Sequence, residues 1–213
     1  MNIHTLVVII ANLLFSMRGF KDYSFFEQYK FNIGALQRGE KIRMISSGFL
    51  HVNWQHFMFN MISLYLFANI VIYQLGTLNF YLVYLISLLA GNLLSFYFHK
   101  NEPFYSAVGA SGAVTGIVYS AILLRPDMHM FIYFIPVPIP SYVVGVGYLL
   151  FSIYGMKTKL GNIGHDAHFG GAVGGYFMTL FLAPWIFEYH FWMVALLAAP
   201  IGLLLFLKWK NKL

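Results

Sequence analysis

The 213-residue chain is 60% apolar and only 9% charged, with 13 Lys and Arg against 7 Asp and Glu. A water-soluble globule carries a shell of about 25% charged residues, so the composition excludes a soluble enzyme and a disordered chain and leaves an integral membrane protein. The lack of cysteine excludes disulfides, zinc fingers and thiol chemistry, and the net charge of +6 suits anionic lipid head groups better than nucleic acid.

Stretches free of Asp, Glu, Lys and Arg locate the spans, since a bilayer core takes about 20 apolar residues per helix. Positions 1–17 form the first. No small-residue cleavage site follows it, so it is not expected to be a cleavable signal. Residues 18–43 mix six cations and three acids with Phe20, Tyr23, Phe25, Phe26, Tyr29 and Phe31. That mixture predicts a folded segment lying in the membrane interface. The window 44–99 holds two helices, broken between Gln74 and Asn79, and 103–124 holds one. Pro136, Pro138 and Pro140 put the start of the next helix near Ser141. A polar loop at 157–164 precedes spans at 167–187 and 189–207, which make seven helices. Lys208, Trp209, Lys210 and Lys212 read as an interface anchor. The chain shows no internal repeat, so an inverted-repeat transporter is not supported.

Polar residues inside spans are costly unless paired or wet, so they are the informative ones. His56 and Asn60 stand at i and i+4 on one helix face, with His51 nearer the interface. Two side-chain donors at one depth can hold an oxyanion, or simply bond a neighbouring helix. Gly109-Ala-Ser111-Gly112, with Gly116, reads as a packing face of small residues or as a serine nucleophile on a crowded helix start. His168, just ahead of Gly170, Gly171, Gly174 and Gly175, reads as a base for that serine or as a packing histidine. His165 and His168 lack the further ligands of a metal site, so no metal and no cofactor is expected. Asn69, Asn92, Ser95 and Ser120 are expected to bond between helices or to bend them, and His99 to sit solvated at a span end.

Taken in this order, the motifs resemble those of the rhomboid intramembrane serine proteases. The residues that carry the resemblance are Arg43, His51-x4-His56-x3-Asn60, Gly109-Ala-Ser111-Gly112, and Ala167-His168-Phe-Gly170-Gly171 with Gly174-Gly175. They fall within residues 35–180. The resemblance implies an all-α integral membrane fold: a six-helix catalytic core over 1–187, with 18–43 as its membrane-lying first loop, and an extra transmembrane helix and basic tail over 188–213. It implies a serine endopeptidase with Ser111 as nucleophile and His168 as general base and acid. The oxyanion hole is implied to be the Ser111 amide with the side chains of His56 and Asn60, supported by His51, Gly109, Gly112, Gly171 and Gly175. Helix 141–156 and loop 157–164 correspond to a lateral gate and cap, and the last helix is expected to be dispensable for chemistry.

The implied partners are single-span membrane-protein substrates and the bilayer, with no nucleic acid; the oligomeric state is not legible. A bacterial inner membrane is the expected location. The alternative within the fold is a non-catalytic relative that binds transmembrane helices without cutting them. One departure bears on the site: relatives often carry an aromatic residue four after the serine, stacked on the catalytic imidazole, and here that position is Thr115. Either His168 is held more loosely or another aromatic supplies the stack. The resemblance implies a cytoplasmic N-terminus, whereas the count of positive charges, with only Arg125 then facing inward, favours the reverse.

Overall fold

A computed structural model describes residues 2–131, 137–161 and 163–212. The chain opens with α1 (Ile3–Lys21), which runs past the expected end at position 17 and carries Arg18 and Lys21 in its last turn. Cations there meet the negative end of the helix dipole.

The 18–43 segment is folded, as its composition predicts. It holds α2 (Tyr23–Tyr29), the two-residue β1 (Phe31–Asn32) and α3 (Ile33–Gln37), and leads into α4 (Arg43–Ser46). Asp22 caps α2 by accepting from the Phe25 amide at 3.0 Å, and Asn32 caps α3 by accepting from Ala35 at 2.9 Å. Strand β1 pairs antiparallel with β2 (Ser106–Ala107), which ties this segment to the loop ahead of Ser111.

Arg43 is the fastener. It is 8% exposed, and its guanidinium donates to Glu40 Oε2 at 2.7 Å, to the Glu27 carbonyl at 2.7 Å and to the Lys30 carbonyl at 2.9 Å. The bond from Arg43 holds the Glu40 carboxyl below the usual carboxylate range. Bonds to a charged donor contribute about 1.5–3 kcal/mol each, and their loss strands the carbonyls. Arg43→Met should therefore destabilise the protein by about 2 kcal/mol or more. A lowered thermal midpoint in detergent checks this, and an unchanged midpoint refutes it.

After a single 3-10 turn (Ser47–Phe49) come α5 (Trp54–Leu75) and α6 (Thr77–His99). The break falls where expected, at Gly76, whose φ of +85° suits glycine. Helix α7 (Ser111–Leu124) has 14 residues, about 21 Å of helix. That is less than the roughly 30 Å of a bilayer core. It is apolar all round and buried along most of its length, enclosed by α5, α6 and α9. Strands β3 (His129–Met130) and β4 (Ile139–Pro140) pair across the next connection. Helix α8 (Ser141–Thr158) begins at the expected residue, directly after Pro140; Pro136 and Asn162 lie outside the described residues.

Helix α9 (His165–Leu182) starts before the expected position 167 and stops before 187. Pro184 cannot extend a helix, and a separate short α10 (Trp185–Tyr189) follows it. The last helix is α11 (Phe191–Trp209). It lies on α8, with Trp192 edge-on to Tyr142 at 5.2 Å, and Val194 accepts from the Tyr176 hydroxyl of α9 at 2.9 Å. Its Lys208 ammonium sits over the rings of Tyr97 and Phe98 at the end of α6. By length and composition, α1, α5, α6 and α11 suffice to cross a membrane. The helices that carry the serine and the histidine, α7 and α9, fall outside that set.

Two of the four scattered polar residues bond between elements as expected. Asn92 donates to the Met44 carbonyl at 2.7 Å, and Thr179 donates to the Ser120 hydroxyl at 2.7 Å. Asn69 and Ser95 depart from that expectation. Asn69 is exposed, and the buried Ser95 hydroxyl has no partner among the described residues.

Candidate active site

Three helices meet through glycine. A Cβ on Gly171 of α9 would fall 2.0 Å from the Gly112 carbonyl of α7, and one on Gly175 would fall 2.3 Å from the Gly116 carbonyl. Between α6 and α9, a Cβ on Gly91 would fall 2.5 Å from the Ala167 carbonyl. Backbones this close exclude any side chain. The contact fixes the chemistry-bearing residues in turn. Ala167 precedes His168, Gly112 follows Ser111, and a Cβ on Gly112 would lie 3.2 Å from the Ala167 carbonyl.

Ser111 is the first residue of α7 and is half-buried. The amides of Ser111, Gly112 and Ala113 have no backbone carbonyl partner among the described residues. Such free N–H groups, at the positive end of the helix, attract negative charge. Gly109, at φ +132°, lets the loop into Ser111 pass flat against the His56 ring; a Cβ there would lie 2.6 Å from His56 Cε1 and 2.9 Å from Nε2. The Gly109 amide donates to the Ser47 carbonyl at 3.0 Å and anchors the turn.

His56 is held from below. Asn53 caps α5 by accepting from the His56 amide at 2.8 Å, and Asn60 Nδ2 donates to the His56 carbonyl at 3.0 Å. One of the two Asn60 amide hydrogens is thus spent on its own helix and the other is left for a ligand. His51 is fully buried, meets the Ser16 hydroxyl through Nδ1 at 2.8 Å, and packs edge-on to the His56 ring at 5.0 Å. It is a wall for His56 and stands away from the serine loop's contacts.

The partner of the His168 imidazole is Tyr148 of α8, whose hydroxyl lies 2.8 Å from Nδ1, with the two rings 23° apart in plane at 6.1 Å. No hydrogen bond joins His168 to the Ser111 hydroxyl among the described residues. Tyr148 was not singled out in the sequence; the only signal for it was the missing aromatic at Thr115. Thr115 instead turns its hydroxyl back to donate to the Ser111 carbonyl at 2.7 Å.

His99 corrects its expected role. It is not simply solvated at a span end. It stacks on Tyr105 at 3.6 Å and faces Glu102 at 2.9 Å and the buried Asp166 at 3.5 Å. Asp166 is therefore engaged with α6 and does not orient His168. Among the described residues no cluster of His, Asp and Glu fit to hold a metal ion occurs.

Residues 38–185 match the Rhomboid domain family. The chain is 30% identical over 138 residues to the mitochondrial Rhomboid protein 1 of Saccharomyces cerevisiae, covering 63% of this chain and 40% of that protein. It is 25% identical over 182 residues to the mitochondrial RHOMBOID-like protein 12 of Arabidopsis thaliana, covering 78% and 54% respectively. To the rhomboid protease GluP of Bacillus subtilis it is 29% identical over 145 residues, covering 67% and 26%. The aligned stretches thus span about half or less of these relatives' own lengths. Because the relatives include mitochondrial proteins beside bacterial ones, they lend no support to the bacterial inner membrane as the location. The family match covers more than half of the sequence and includes the helices that carry Ser111, His56 and His168: the chain belongs to the rhomboid family, as an all-α integral membrane protein.

Proposed function

We propose that the protein is an intramembrane serine endopeptidase that cleaves transmembrane helices with a Ser111–His168 dyad. The observation that carries the reading is the seating of Ser111 at the start of a short, buried helix, packed glycine to glycine against the helix that bears His168. A helix of about 21 Å starts below the bilayer surface, so a polar site there needs water from one side only.

In the proposed reaction His168 takes the hydroxyl proton as Ser111 Oγ attacks a peptide carbonyl carbon. The resulting oxyanion accepts hydrogen bonds from the Ser111 amide, the His56 ring and the free Asn60 N–H. His168 then gives its proton to the departing amine as the C–N bond breaks. Water, activated by the same imidazole, hydrolyses the acyl-enzyme and restores the serine. The substrate is a single-span membrane protein whose helix must unwind at the cut, because helical carbonyls are turned inward to their own amides.

A fluorophosphonate probe tests the reading. It should label the wild-type protein on Ser111, mapped by mass spectrometry, and leave Ser111→Ala and His168→Ala unlabelled. Absence of labelling in the folded wild type favours the non-catalytic helix-binding alternative. Labelling that persists in Ser111→Ala removes the nucleophile.

A further inference from the structure

We propose that Tyr148 is the positioning residue for the catalytic imidazole, and that through it helix α8 sets whether His168 is aligned to act as a base. This rests on the dyad reading above. It begins from a constraint on the imidazole: to accept a proton from Ser111 on one nitrogen, the neutral ring must carry its hydrogen on the other. The nitrogen bonded outside the site is Nδ1, with the Tyr148 hydroxyl at 2.8 Å. A hydroxyl can either accept from Nδ1–H or donate to a bare Nδ1, and only the first leaves Nε2 free.

The chemistry asked of the imidazole chooses between them. The base role therefore requires that the Tyr148 oxygen accept from His168 Nδ1–H across the 2.8 Å contact. The same tyrosine ring lies nearly parallel to the imidazole, 23° apart in plane, which limits rotation about the histidine's χ2. Tyr148, from α8, supplies the ring beside the imidazole that Thr115 cannot. Because Tyr148 stands on α8 and not on the serine helix, a displacement of α8 removes the acceptor and the ring at once. The base is then free to turn or to exchange its tautomer.

Two measurements test this on the full-length protein in detergent micelles. Histidine ring 15N shifts, with the His168 signal assigned by its loss in His168→Ala, should show the Nδ1–H tautomer in the wild type. They should show the Nε2–H tautomer or a mixture in Tyr148→Phe. With the fluorophosphonate probe, Tyr148→Phe should lower the maximal labelling rate about tenfold, the loss of one hydrogen bond felt at the transition state, while half-saturation moves less than about twofold. Tyr142→Phe, on the same helix but packed on Trp192, should leave rate and tautomer unchanged. An unaltered tautomer and labelling rate in Tyr148→Phe overturn the proposal, as does an Nε2–H tautomer in the wild type. If Ser111 is never labelled, the dyad reading fails, while the 15N spectra still decide whether Tyr148 holds the ring.

Discussion

Alanine at Ser111 should cut the cleavage rate of a single-span substrate in liposomes by about 10⁴-fold or more, and alanine at His168 by nearly as much. The double variant should be no slower than Ser111→Ala. The reason is that, in the proposed dyad, the two side chains perform one event. Once the hydroxyl is gone there is no proton for the imidazole to take, and once the imidazole is gone the hydroxyl is a poor nucleophile at neutral pH. The surrounding backbone leaves little room for a substitute. Asp166 is occupied by His99, and His56 lies against Gly109 on the oxyanion side. Neither substitution changes a packed glycine contact, so thermal midpoints should stay within a few degrees. Losses that add up, each single variant costing its own factor and the double costing the product, would mean that Ser111 and His168 do not work as a unit.

Gly171→Val should be as damaging by a different route. A Cβ on Gly171 meets the Gly112 carbonyl oxygen at 2.0 Å, its carbon at 2.6 Å and its Cα at 2.8 Å, all of them backbone atoms. A flexible side chain can swing away from an intruder, but a helix backbone cannot move without separating the two helices. Overpacking of this kind costs on the order of 3 kcal/mol or more. It also moves His168, on the same helix, away from Ser111. The expected result is a large fall in thermal midpoint together with loss of probe labelling. Gly147→Ala on α8, where an added Cβ meets nothing within 4 Å, should be tolerated. A stable, labelled Gly171→Val protein would show that α7 and α9 do not pack as closely as described.

Much of this was legible in the sequence because the bilayer is a severe solvent. Charge-free windows located seven long helices, and the proline run located the start of α8 at Ser141. The glycines of α9 announced a close contact because nothing else explains four of them at helical spacing. What escaped was decided across space. Tyr148 and His168 stand 20 residues apart on different helices, and no local pattern marks a tyrosine that faces inward. His99 looked like one more interfacial histidine, since its partners Tyr105 and Asp166 come from two other parts of the chain. Helix ends moved for local reasons: Pro184 stopped α9 early, and the cations of the last turn let α1 run on to Lys21.

The seventh helix was expected to be a spectator to the chemistry. Its contacts tie it to two of the helices around the candidate site. It is clamped near one end by Trp192 on Tyr142 of α8, and near the other by Lys208 over Tyr97 and Phe98 of α6. A helix held at two points resists displacement, so an outward swing of α8 would work against α11. Helix α8 would pivot against a strut whose far foot rests on α6, itself locked to α9 at Gly91. Lipid pressure or a neighbouring protein pushing on that outer strut would therefore be felt, through α8, at the ring of His168.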